Sequence, residues 1–334
     1  MTKPPSLQDV ARAAKLSPAT VSRYLNGSLS LPQDTADRID AAIAALNYRP
    51  NPHARSLSRG RSDTIGLVVP DVANPFFAKL AAAVEHHAGQ AGLGLMLCTS
   101  VNRQSRELDY IERLRRNHVD GLLFTTNHQD ENQALARAIN ASRNIVVMDE
   151  DVEGTDVPKV FSDNIQGARL AARHFLEAGH SNVVYVGGPR NIMTSRERAQ
   201  GFTQAIEASG ATLAGELLGH YTAAYGRQAM AEILERFPDA TAIFVGSDEI
   251  TYGMVEEAKT RGLRLGEDIS IITFDDVGPM ALFDPPVTAI RQSVEEIGRV
   301  GFELLLKRME GDLSAPRIRL PVKLMERGSV KRRR

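Results

Sequence analysis

The apolar positions of this chain follow two different periods. Near the N-terminus they recur at helical spacing: Leu7, Val10, Ala11 and Ala14 keep the i, i+3, i+4, i+7 pattern, and Val21 and Leu25 lie four apart. Ser6 and Asp9 approximate a capping box at the start of the first helix. Ser17 is a good N-cap for the second, Pro18 fits its first position, and Asn26-Gly27 ends it. Only a short turn around Lys15-Leu16 separates the two. A third helix begins near Pro32 to Asp34, carries Ile39, Ile43 and Leu46, and stops before Pro50. Its aliphatics complete a small core with Leu7, Val10, Val21 and Leu25. Two short helices and a tight turn read as a helix-turn-helix, whose second helix enters the DNA major groove, or equally as an ordinary helical hairpin.

Residues 51–58 form a separate piece: Asn51 can cap, Pro52 fits a first helical position, and Ala54 and Leu57 face one side. Two turns are marginal in water alone, so this stretch reads as a linker or as a helix that folds conditionally. From Asp63 onward the pattern changes to short apolar runs alternating with amphipathic stretches. The strand candidates are 65–70, 93–99, 121–126, 145–149, 183–187, 242–246 and 269–274. Helical candidates between them include 77–91, 107–116, 165–178, 197–209 and 249–261. Such alternation predicts parallel sheets covered by helices on both faces. That many strands fit two sheets better than one, in units of roughly 63–160 and 161–290, with the C-terminal stretch returning to both.

Composition and charge narrow the function classes. The 334 residues are 43% hydrophobic and 24% charged, enough for several ordinary cores. No apolar run is long enough to span a membrane, and the first residues, MTKPPSLQDV, lack the apolar segment of a signal peptide. The single Cys98 sits in an apolar run and reads as core packing, which fits a cytoplasmic protein. The net charge of −1 conceals an asymmetry: residues 1–61 hold nine Lys+Arg against four Asp, a net +5, and the remaining 273 residues carry −6. A basic head on an acidic body points to a polyanion partner for the head. The eight histidines show no metal-ligand spacing, and His53, His118, His128, His174, His180 and His220 read as surface or packing residues. Gly187-Gly188-Pro189 is not a phosphate cradle, and no nucleophile, metal or cofactor motif supports an enzyme.

Motifs in both halves occur together and in order. In the head they are Leu7-Gln8-Asp9-Val10-Ala11, Ala19-Thr20-Val21-Ser22-Arg23, Leu25-Asn26 and Leu46-Asn47-Tyr48-Arg49-Pro50-Asn51. In the body they are Ile65-Gly66-Leu67, Asn74-Pro75-Phe76-Phe77, Arg196-Glu197-Arg198 followed by Gly201-Phe202, Ser247-Asp248-Glu249 and Phe274-Asp275-Asp276. With these, the sequence resembles the lactose repressor/galactose repressor (LacI) family of bacterial transcription regulators along its whole length. The body alone equally resembles periplasmic sugar-binding proteins.

The resemblance implies a helix-turn-helix head over 1–50, a hinge helix and linker over 51–61, and a two-lobed α/β effector-binding and dimerisation body over 62–334. It places Ser17, Pro18, Ala19, Thr20, Ser22, Arg23, Asn26, Tyr48, Arg55 and Leu57 at the DNA. Arg23 is the implied base reader, since a guanidinium bridges guanine O6 and N7. Ser17, Thr20 and Ser22 suit phosphate oxygens. Pro18 and Ala19 offer only van der Waals contact, and Leu57 falls where the family drives an aliphatic wedge into the minor groove, or else packs on the body. For the body the resemblance implies an effector cleft near Asn74, Phe76, Phe77, Asp149, Arg198, Tyr221, Ser247 and Asp275, with aromatic walls for a sugar ring and charged groups for its hydroxyls. The alternative for the charged residues is that they are solvated or pair with one another. Alanine at Asp149, Arg198 or Asp275 is expected to weaken effector binding and leave the fold intact. Glu150 stands where some pentose binders have Arg, a departure that leaves the sugar open. The implied function is a repressor binding palindromic operator DNA as a homodimer under control of a small-molecule, carbohydrate-class effector, with no cofactor or metal. The rival is a sugar-binding transport component, which lacks support because the chain has a basic head and no signal peptide.

Overall fold

The computed structural model describes residues 5–27, 29–49 and 61–333. The chain divides into two compact units, Met1–Asp63 and Thr64–Arg334. In the first unit lie α1 (Leu7–Ala14), α2 (Pro18–Leu25) and α3 (Gln33–Leu46). The capping box forms: Ser6 Oγ accepts from the Asp9 amide, and the Asp9 carboxylate accepts from the Ser6 amide at 2.9 Å. Lys15 closes α1 in the left-handed region, φ 56°, which turns the chain into the Ser17 cap of α2. Val10, Ala11, Ala14, Val21, Ile39 and Ala42 are the buried core, with Leu7, Leu25, Ile43, Leu46 and Tyr48 packed against it. Helices of eight residues do not persist alone, so α3 supplies the surface that holds both. Two polar ties from α3 fix their setting. Arg38 donates to the Ala14 and Lys15 carbonyls at the end of α1, and the Tyr24 hydroxyl donates to Asp40 at 3.1 Å.

The second unit holds two six-stranded sheets. In the first, β2 (Gly94–Thr99), β1 (Thr64–Val69), β3 (Gly121–Phe124), β4 (Ile145–Met148), β5 (Lys159–Ser162) and β11 (Arg317–Leu320) lie in that order. In the second the order is β7 (Thr212–Leu218), β6 (Asn182–Gly187), β8 (Ala242–Val245), β9 (Ser270–Phe274), β10 (Thr288–Arg291) and β12 (Lys323–Met325). All neighbours are parallel except β12, which runs antiparallel to β10. The doubly wound arrangement read from the sequence therefore forms, with one antiparallel edge strand that it did not anticipate. Strands such as β3, β4 and β8 are buried along their whole length, as sheets covered on both faces require.

Helices α4 (Pro75–Gln90) and α11 (Val294–Met309) cover one face of the first sheet; α5 (Gln104–Arg115) and α6 (Ala134–Asn140) cover the other. On the second sheet, α7 (Asn164–Glu177) and α8 (Met193–Ser209) take one face, and α9 (Ala223–Arg236) and α10 (Asp248–Thr260) the other. The chain passes between lobes three times: after β5, after β10 into α11, and between β11 and β12. Ion pairs gather there. Arg319 of β11 meets Glu197 of α8 with both of its terminal nitrogens, and Asp151 takes both Lys159, at 2.6 Å, and Arg317.

Candidate effector site and DNA-binding surface

Between the lobes lies a cavity of about 370 Å3. Its walls come from the segments that follow β1, β2, β3, β4, β6, β7, β8, β9 and β10, so the carboxyl ends of strands from both sheets face it. Asn74, Phe76, Phe77, Asp149, Arg198, Tyr221, Ser247 and Asp275 all line it. Every effector residue read from the sequence is thus brought together in one place.

Local chemistry explains how each arrives. Asn74 caps α4, its Oδ1 accepting from the Phe76 amide at 2.8 Å, and this sets Phe76 and Phe77 edge to face with centroids 5.2 Å apart. Ser247 caps α10 and Thr222 caps α9. Gly226 and Gly253 let α9 and α10 meet backbone to backbone, since a Cβ at either would collide with the partner helix's main chain. Both helix starts therefore reach the cavity side by side. Gly188 gives room to the Tyr221 ring in the same way. Asp149 and Asp275 take left-handed backbone, φ 67° and 78°, at the ends of β4 and β9, which turns each carboxylate inward.

Arg198 is the centre of the site. Its guanidinium is 4% exposed and lies 3.8 Å from the Phe274 ring centroid. Nε donates to Asn164 Oδ1 at 2.9 Å, Nη1 donates to the Gly246 carbonyl at 2.7 Å, and Nη1 stands 3.9 Å from Asp275. Asn164 in turn donates to Glu197, the residue paired with Arg319. Neighbouring residues of one motif thus do different work: Glu197 ties the lobes, and Arg198 organises the cavity.

Burial pushes the Asp149 carboxyl up to about 7, against the pull of Arg198. Burial pushes Asp248 up to about 8, with Asp275 and Glu249 adding to it. The folded protein then holds protons at neutral pH that the unfolded chain, with ordinary carboxyls, has released. Their stabilising contribution is complete below about pH 4 and is lost as pH rises through about 7 to 8. Through these two groups the melting temperature of the ligand-free protein is expected to fall between roughly pH 4 and pH 8. Asp248→Asn should flatten that fall; an unchanged slope in the variant would remove Asp248 as its source.

Sequence reasoning passed over several lining residues: Asp71, Asn102, Asn127, Thr194, Asp248, Glu249 and Gln292. Gln292 donates to Asp275 Oδ1. It escaped notice because β10, which delivers it, was not among the strand candidates. Asp248 and Glu249 belong to a motif noted in the sequence, whose spacing did not tell which first-turn side chains face inward.

The structure resolves the role of Glu150. It is 2% exposed and reaches from the first lobe to the start of α8 in the second. There its carboxylate accepts from the Met193 amide at 2.6 Å, the Thr194 amide at 3.0 Å and the Thr194 hydroxyl at 2.7 Å. It is an interlobe helix cap and does not line the cavity. Glu150→Ala strands those donors and should cost about 1–3 kcal/mol. Urea unfolding measures this, and a midpoint equal to wild type would rule the cap out as a structural element.

In the head, Ser17, Pro18, Ala19 and Arg23 are exposed on α2, and Thr20, Ser22 and Asn26 are half-buried. Ser17 Oγ accepts from the Thr20 amide at 3.0 Å and lies 2.8 Å from the Thr20 hydroxyl, so both hydroxyls also serve the helix start. Tyr48 packs partly buried on the three-helix core. Arg55 and Leu57, with the rest of the hinge reading, lie outside the described residues.

The chain matches the family described as bacterial regulatory proteins, lacI family, over residues 6–51, and the periplasmic binding proteins and sugar binding domain of LacI family over residues 62–327. The chain belongs to the LacI family. This member is 33% identical over 328 residues to the ribose operon repressor of Halalkalibacterium halodurans, covering 98% of this chain and 97% of that protein. It is 34% identical over 331 residues to the HTH-type transcriptional repressor PurR of Photorhabdus laumondii, covering 97% and 96%. Its fold is similar to the lac repressor dimer bound to operator and the anti-inducer ONPF, with a TM-score of 0.86, 27% identity, and 98% and 99% of the two chains covered. In this LacI-family chain, no helix among the described residues is long and apolar enough to cross a membrane.

Proposed function

We propose that this LacI-family protein is a cytoplasmic repressor that binds a palindromic operator as a homodimer, with its DNA affinity set by a carbohydrate-class effector held between the lobes. Residues 1–50 form the DNA-binding domain, 51–61 the hinge, and 62–334 the sensor and dimerisation domain. The observation that carries the reading is the cavity itself. It joins aromatic faces, Phe76, Phe77 and Tyr221, to a buried guanidinium and the carboxylates of Asp149 and Asp275. Paired acceptors and donors of this kind recognise vicinal hydroxyls and reject ligands that lack them. Because both lobes contribute, a ligand that fills the cavity favours one setting of the lobes over another, and that difference is what it can transmit. The relatives named above are repressors.

The test is a thermal-shift screen of sugars and sugar derivatives on the full chain. A ligand present at about 100 times its Kd stabilises the native state by about 2.7 kcal/mol, which is visible as a raised melting temperature. Asp275→Ala should abolish the shift. If the responding sugar shifts Asp275→Ala as much as wild type, the ligand sits elsewhere.

A further inference from the structure

Helix α2 has a small hold on the head core. Of its eight residues only Val21 is fully buried, and Tyr24 and Leu25 pack half-buried on that core. One buried side chain near the middle of a helix resists lifting more than rolling. A roll swings the tips of the side chains that point away from the core, while the axis stays in place. Groups that must meet a partner need their direction held to within about 10–20°.

The residues that oppose such a roll lie on α3. Arg38 donates to the Ala14 and Lys15 carbonyls, in the turn that leads into α2. Towards the other end of α2, the Tyr24 hydroxyl donates to Asp40 Oδ2 at 3.1 Å. Tyr24 follows Arg23 directly in the chain, so this tie holds the helix next to the implied base reader.

By charge, Asp40 is out of place. Residues 1–61 carry nine Lys+Arg against four Asp, a balance that suits a polyanion. Three of those acids, Asp34, Asp37 and Asp40, recur every third residue along α3 and are exposed. Asp37 accepts from Gln33 of the same helix at 2.8 Å. Of the three, only Asp40 has a hydrogen bond to α2 among the described residues, and it has no ion pair among them. Its charge repels DNA of any sequence. Its hydrogen bond favours one setting of the helix that reads the sequence. The two effects have opposite signs, so they can be told apart.

We propose that Asp40 is a positioning residue for operator recognition: acting through the Tyr24 hydroxyl, it fixes the roll of α2 and so raises the preference for operator over other DNA. It does this without touching the duplex. The inference rests on the reading of α2 as the helix that meets the bases.

The test is fluorescence anisotropy with the full chain at one salt concentration, on an operator selected from random DNA and on its scrambled counterpart. Asp40→Ala removes the acceptor. It should lower the operator-to-scrambled preference by about 3-fold to 10-fold, the size of one net hydrogen bond, while scrambled DNA binds at least as tightly as to wild type. Asp40→Asn keeps an acceptor for the phenol and should retain the wild-type preference. Tyr24→Phe keeps the packed ring, loses the donor, and should match Asp40→Ala. The double variant should lose no more than either single one, since both break the same link. If Asp40→Asn behaves as Asp40→Ala does, whether both keep the preference or both lose it, the hydrogen bond is not the agent and the inference is overturned. If Tyr24→Phe lowers the preference but Asp40→Ala does not, the phenol serves the DNA directly, and the inference is overturned as well. If wild type prefers no selected sequence over scrambled DNA, the reading of α2 falls and the inference with it.

Discussion

Arg198→Ala is expected to destabilise the two-lobed body by about 3–5 kcal/mol, besides ending effector binding. The guanidinium is buried, stacked on Phe274, and bonded to Asn164 and Gly246. Deleting it leaves two acceptors without donors and two inward carboxylates, Asp149 and Asp275, without their countercharge. Lysine should not rescue the loss, because an ammonium cannot both stack on the ring and reach Asn164 and Gly246 with a fixed fork. This separates Arg198 from the other site residues, which from sequence alone were expected to behave alike. Asp275→Asn keeps an acceptor for Gln292 and should spare the fold while weakening ligand binding. Urea denaturation followed by circular dichroism decides: an Arg198→Ala midpoint within error of wild type would show that the guanidinium serves the ligand only.

The second large effect is expected in the head. Arg23→Ala should reduce the preference for operator over scrambled DNA by about 1–3 kcal/mol, roughly 5-fold to 150-fold. Helix α2 is held firmly in place. Ser17 and Pro18 start it, Val21 buries its inner face, and Tyr24 ties it to Asp40 of α3. Arg23 is exposed on that helix. Binding to scrambled DNA should fall much less, since that affinity comes from many phosphate contacts. Fluorescence anisotropy on an operator selected from random DNA by the full chain, and on its scrambled counterpart, gives the ratio. A ratio equal to wild type would mean another side chain reads the bases.

The head and the site were legible in the sequence to different degrees. The Ser6–Asp9 capping box, the Ser17-Pro18 start and the Asn26-Gly27 stop are local signals, and each appears where the residues place it. All seven strand candidates also appear: six are strands buried on both faces, which read as unbroken apolar runs, and the seventh, β2, is a largely half-buried edge strand that is apolar all the same. The strands that were missed lack that mark. Arg317-Ile-Arg-Leu and Lys159-Val-Phe-Ser carry charges that find partners only in three dimensions, at Asp151 and Glu197. β7 is an edge strand with an irregular register against β6, β10 has only Ala289 and Ile290 between a threonine and an exposed arginine, and β12 is three residues long. His128 read as a surface or packing histidine. It stands 2.8 Å from the fully buried Glu107, whose hydrogen bond holds the imidazole above its ordinary range, a pairing 21 residues apart in sequence that no spacing rule reveals. Glu150 shows the same limit: its partners, the first residues of α8, are set by the crossing of the lobes.

The central claim is that a ligand in the interlobe cavity changes the affinity of the head for its operator. The most direct measurement is the operator Kd of the full chain by anisotropy, with and without a saturating amount of the sugar that raises its melting temperature, in wild type and in Asp275→Ala. A coupling of about 1–3 kcal/mol predicts a change of roughly 5-fold to 150-fold in wild type. In Asp275→Ala the same sugar concentration should leave the Kd unchanged. Equal wild-type affinities with and without the bound sugar would contradict the account.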